Sequence, residues 1–160
     1  MSAKRDDYIL RAIEQLRIMV AAAVKLRNRG QLDQALLAIV NAQEKLFARP
    51  ASTFMALDLE EQLHLLRVGE APDTAREKCL GYAALLREAG LVYEARDKPE
   101  LAASAFQSAL YIVLTLAVET SLPPTDEATA NIADLLERVP VEQLHAPVKE
   151  LLSQLATLGA

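Results

Sequence analysis

Alanine and leucine occur 28 times each in this sequence, against 10 valines and 6 isoleucines. Unbranched side chains lose little rotamer freedom in a helix, whereas β-branched residues favour strands. Only 5 glycines are present, too few for a chain built on tight hairpins. No stretch alternates apolar and polar residues for long enough to make a half-buried strand. The expectation is an all-α protein. At 160 residues the chain is long enough for one hydrophobic core without disulfides or a metal.

Turn signals divide the chain into about seven helices. The first runs from about Asp7 to Asn28 and ends at Arg29-Gly30, a basic last turn followed by a C-terminal glycine. The second runs from about Leu32 to Ala48 and stops before Pro50. A short helix over about 58–67 ends at Gly69, and Pro72 opens a long helix to about Arg96. Asp97-Lys98-Pro99 turns the chain into a helix reaching about Glu119. Pro123-Pro124 is the clearest break, with Thr125 as N-cap of a helix to about Arg138; Pro140 begins one turn and Pro147 opens the last helix. Residues 1–122 are expected to form the main helical domain, with 123–160 as a helical extension packed on it.

The net charge of −5 and pI near 5.1 argue against non-specific nucleic-acid binding, which depends on basic surfaces. A single cysteine suits a reducing compartment, and Asp6-Asp7 falls where a signal peptide would need its apolar run, so a cytoplasmic location is expected. Residues 101–118 carry no charge, but Ser104, Gln107, Ser108 and Thr115 interrupt them and Glu100 and Glu119 bracket them. This reads as a buried helix and not as a membrane span.

The spacing Leu86-x2-Ala89-Gly90-x2-Tyr93, followed by Ala102-x3-Phe106-x2-Ala109, puts small residues where two helices approach and large ones where a groove must be filled. It resembles the tetratricopeptide (TPR) helical hairpin. Met19-x2-Ala22-Ala23-x2-Leu26 and Ala35-x3-Ile39-x2-Ala42 repeat the register more weakly. Ala35 and Ala102 stand 67 residues apart, close to two periods of about 34. The segment 50–76 does not fit. The resemblance implies two stacked hairpins separated by an irregular insert, with a C-terminal helical pair as a cap. The N-terminus, Asp7-Tyr8-Ile9-Leu10-Arg11-Ala12-Ile13-Glu14-Gln15-Leu16, followed by Gly30-x4-Ala35-Leu36, resembles a family of bacterial proteins with no assigned activity. Roughly residues 6–120 carry that resemblance.

Chemistry-bearing patterns are sparse. Glu61-x2-His64 and Glu142-x2-His145 have the form of di-iron carboxylate ligands. At 100° per residue, however, both glutamates lie opposite the apolar stripe of their helix, so no metal site is expected. Cys79 shares a face with Tyr82, Ala83 and Leu86, which fits a small core residue. Arg138 and His145 have the spacing of some helical ribonucleases, but Pro140 stands between them. No enzyme activity and no cofactor are expected.

A binding surface is the stronger expectation. By the TPR resemblance, the concave face would be lined by Arg17, Val20, Val24, Arg27 and Asn28 from the first hairpin, and by Ala84, Arg87, Leu91 and Glu94 from the second. An apolar floor with arginines at its edges suits an extended or helical peptide bearing acidic groups; filling by the chain's own tail is the alternative. Residues 18–24 and 111–118 are apolar nearly all round, more than one-sided burial needs. That surplus predicts a homodimer, with Met19, Val20, Ile112, Val113 and Leu116 as interface candidates. The expected function is therefore a non-enzymatic protein–protein interaction or scaffold module. A small-molecule-binding regulatory domain is the alternative, and a helical enzyme a more distant one.

Overall fold

The computed structural model describes residues 2–120 and 126–158, with side-chain detail over 7–120 and 129–158. Eight α-helices and one 3-10 turn are found among the described residues, and no strand. The helices are α1 (Ser2–Asn28), α2 (Leu32–Phe47), α3 (Ala51–Phe54), α4 (Leu59–Arg67), α5 (Pro72–Ala95), α6 (Pro99–Glu119), α7 (Asp126–Arg138) and α8 (Ala146–Leu158). The 3-10 turn, Val141–Gln143, bridges α7 and α8 after Pro140. The expected N-cap Thr125 and the expected boundary at 122 fall outside the described residues.

Two short connections make antiparallel pairs. Gly30, at a φ of 75°, turns α1 into α2. Asp97, at a φ of 57°, turns α5 into α6, and Pro99 starts α6 where its missing N–H costs nothing. α5 and α6 form the most extensive pair, α1 and α2 the next, and α5 also touches α1, α2 and α4. α7 and α8 both lie against α6.

Gly90 shows why the α5–α6 pair is tight. A Cβ at this position would lie 2.5 Å from the Phe106 ring. The missing methyl group is the slot into which Phe106, 1% exposed, inserts. Gly81 does the same for Leu16 and so brings α1 against α5. A helical glycine costs about 1 kcal/mol in propensity; close helix contact offsets it at both positions.

The irregular segment between the hairpins is fixed by a polar contact under an aromatic cluster. Gln62, buried on α4, donates from Nε2 to the carbonyls of Phe54 (2.9 Å) and Leu57 (3.2 Å). Its Oε1 accepts from the Tyr82 hydroxyl at 2.6 Å. Phe47 stacks on Phe54 at 4.3 Å and meets Tyr82 edge-on at 4.9 Å. Asp58 and Glu61 close a capping box at the start of α4. Glu61 thus has a structural task.

α6 absorbs its apolar surplus inside the chain. Ile112, Val113 and Leu116 are 0%, 7% and 8% exposed. They belong to the core shared by α4, α5, α7 and α8. The expectation that they meet a second subunit is corrected: α5, α7 and α8 of the same chain pack on α6 and cover them. α6 is the one helix among the described residues long and apolar enough to cross a bilayer, and 61% of its most apolar window is buried by the rest of the chain.

Candidate functional site

α1, α5 and α7 run in the same direction. Leu16 stands against Gly81, and eleven residues on in α1, Arg27 reaches Glu88. On the other side, Arg87 pairs with Asp134 and Glu94 with Arg138. Three parallel helices therefore form one wall, with α2 and α6 as the antiparallel partners of α1 and α5 and α8 packed on α6.

A cleft of ≈ 740 Å³ opens on this wall. Val20 and Ala21 of α1, Leu80, Gly81 and Ala84 of α5, and Leu135 of α7 make its apolar surface, with Val113 of α6 behind them. The small residues along α5 leave the floor low. Arg17, Arg76 and Arg87 stand at the edges together with Glu77 and Asn131. Arg17 is exposed and lies 3.7 Å from both Glu14 and Glu77, too far for strong pairs. Arg76 is exposed and makes no ion pair among the described residues.

Of the expected groove residues, Arg17, Val20, Ala84 and Arg87 line the cleft. Arg27 and Glu94 do not, because ion pairs between helices hold them. Arg27 donates to the buried Glu88 carboxylate at 2.7 Å, and Glu88 lies 3.7 Å from Arg87. Arg87 donates to Asp134 at 2.8 Å, Asp134 lies 3.4 Å from Arg138, and Arg138 reaches Glu94 at 3.2 Å. This ladder crosses all three helices and ends the cleft. Leu91 packs on the core, and Val24 and Asn28 are outside the cleft lining. The Arg87 guanidinium holds the Asp134 carboxyl below the usual carboxylate range, against the opposing effect of burial.

The interface candidates on α1, Met19 and Val20, are half-buried. Val20 lines the cleft, and Met19 lines a second cavity between α1, α2 and the start of α5.

Cys79 is fully buried, and that burial pushes its thiol up, away from nucleophilic thiolate character, despite the nearby Arg67. Arg67 itself grips both oxygens of Glu119, at 2.9 and 2.7 Å. His64 and His145 are exposed, and no cluster of three metal-ligating side chains occurs among the described residues. Arg138 and His145 sit on either side of the Pro140 break, with Arg138 committed to the ladder.

Sequence reasoning missed two features of the wall. Arg76 and the α7 contributions Asn131 and Leu135 were legible only as an exposed charge and a helix of unknown placement. Comparison with family models, with curated proteins and with solved structures gives no match.

Proposed function

We propose that this chain is a non-enzymatic protein–protein interaction module of the cytosol, whose cleft between α1, α5 and α7 takes an acidic segment of a partner protein. The observation that carries this reading is the cleft itself: an apolar floor of small residues flanked by Arg17 and Arg76, neither held in a strong pair, on a chain whose net charge is −5. Cations retained around a concavity of an acidic protein attract carboxylates there. The consecutive antiparallel pairs, with their inner helices parallel, support a TPR-like reading of the arrangement.

Selection from a random peptide library tests the proposal. Enriched peptides are expected to carry Asp or Glu beside apolar residues. Their affinity should fall about tenfold, on the order of 1.4 kcal/mol, for Arg17→Glu combined with Arg76→Glu. Enrichment of peptides that bind this double variant equally well would overturn the reading.

A further inference from the structure

The second cavity has a different character. α1 is 27 residues long and α2 only 16, about 40 and 24 Å. The N-terminal part of α1 therefore overhangs its partner. Its apolar face looks into a space of ≈ 270 Å³, bounded by the end of α2 and the start of α5. Ile9, Ile13, Leu16 and Met19 of α1 and Leu46 of α2 make the apolar lining.

Several features at the α5 end favour a negative charge. Thr74, only 7% exposed, lines the cavity, and its hydroxyl has no hydrogen-bond partner among the described residues. Thr74 lies in the first turn of α5, where Ala71 provides no side-chain cap. Pro72 has no N–H, so the free backbone donors of that turn are those of Asp73 and Thr74, and Asp73 is its one acidic side chain. Two lysines border it. Lys78 is neutralised by Glu70, with Nζ and Oε1 2.8 Å apart. Lys45 makes no ion pair among the described residues. Glu70 is thus answered, and one cation remains over.

We propose that this cavity binds an anionic amphiphile: a carboxylate held by the Thr74 hydroxyl, the first turn of α5 and Lys45, on an unbranched alkyl tail lying between α1 and α2. At ~30 Å³ for a methylene-sized volume, the space takes a tail of roughly eight to ten carbons. A bound carboxylate would give this hydroxyl an acceptor that the described residues do not supply. The site is separate from the cleft and does not depend on peptide binding there.

Calorimetric titration with decanoate, below the concentration at which it forms micelles, tests the proposal. Saturable 1:1 binding is expected. Ala12→Phe fills the cavity from an exposed position, so folding is retained, and should abolish binding. Thr74→Val and Lys45→Gln should each weaken decanoate at least threefold while leaving 1-decanol unaffected. Co-sedimentation with phosphatidylglycerol vesicles that decanoate displaces would assign the ligand to a membrane lipid. Decanoate binding without vesicle association would assign it to free amphiphile. Absence of saturable decanoate binding, or binding that persists in a folded Ala12→Phe protein, overturns the proposal.

Discussion

Arg87 donates from Nε to Asp134 Oδ2 across 2.8 Å, and this bond ties the central helix α5 to α7. It also determines how far the cleft extends. Beyond it the wall is sealed by the Arg27–Glu88 pair on one side and Glu94–Arg138 on the other. Arg138 lies 5.5 Å from the Phe106 ring centroid as well, so the ladder rests on the same ring that fills the Gly90 slot. The charged surface and the core are thus coupled at one point.

Removing the Asp134 carboxylate should therefore alter binding more than stability. Both side chains of the pair are about one-third exposed, so Asp134→Ala should cost no more than about 1 kcal/mol at neutral pH. The folded-state pKa of Asp134 lies below its unfolded value, so its contribution is present above the unfolded pKa and disappears as pH falls through the folded one. Urea unfolding of the two proteins should differ at about pH 7 and converge at about pH 2. A freed Arg87 should also tighten the library-selected acidic peptides several-fold, read by fluorescence anisotropy.

Val113→Glu and Leu116→Glu separate a core role from an interfacial one. Both side chains are buried within one chain. A carboxylate at either position would be buried without a partner, at a cost of several kcal/mol. Loss of the helical circular dichroism signal is expected for both variants. A folded variant whose only change is a smaller hydrodynamic radius would instead restore the expectation of an interface there.

The two helical glycines should respond differently to alanine. Gly→Ala in a helix ordinarily gains about 1 kcal/mol. At Gly90 the new methyl group would meet the face of Phe106, a rigid ring at 1% exposure that has nowhere to go. At Gly81 it would meet the end of the Leu16 side chain, which can rotate. Thermal unfolding should show Gly90→Ala destabilised by about 1–3 kcal/mol, and Gly81→Ala by clearly less.

The helices and their order were legible because Pro, Gly and the Ala-rich spacing act locally. Gly90 and Ala102 marked their close contact correctly for the same reason. The short helix α3 was not legible: Ala51–Phe54 is held by the Gln62 donation to Phe54 and by the stack on Phe47, contacts that span 8 and 7 residues. The cleft was legible by half. The TPR resemblance put Arg17, Val20 and Arg87 on one concave surface, but a single helix gives no sign that Arg27 and Glu94 find partners across helices. The fate of α6 depended on α7 and α8 covering it, which is tertiary information. The capping box of Asp58 and Glu61 spans four consecutive residues, so a local signal for the start of α4 was present in the sequence.

Tyr82 should mark the alkaline limit of the fold. Its hydroxyl is buried and donates to Gln62 Oε1, and burial pushes its pKa up to about 12 from an ordinary value of 10. The folded state thus retains the phenolic proton more tightly than the unfolded chain does. The associated stability is fully present below the unfolded pKa and is lost as pH rises through the folded one. The loss should be on the order of 2–3 kcal/mol between about pH 10 and 12. Tyr82→Phe leaves the Gln62 oxygen without its donor and should cost about 1–3 kcal/mol at neutral pH. The same variant has no phenol to ionise, so its stability should fall less steeply over the alkaline range. Urea midpoints of the two proteins should approach one another as pH rises from about 9 to 12; parallel curves across that range would show that Tyr82 ionisation does not limit the fold.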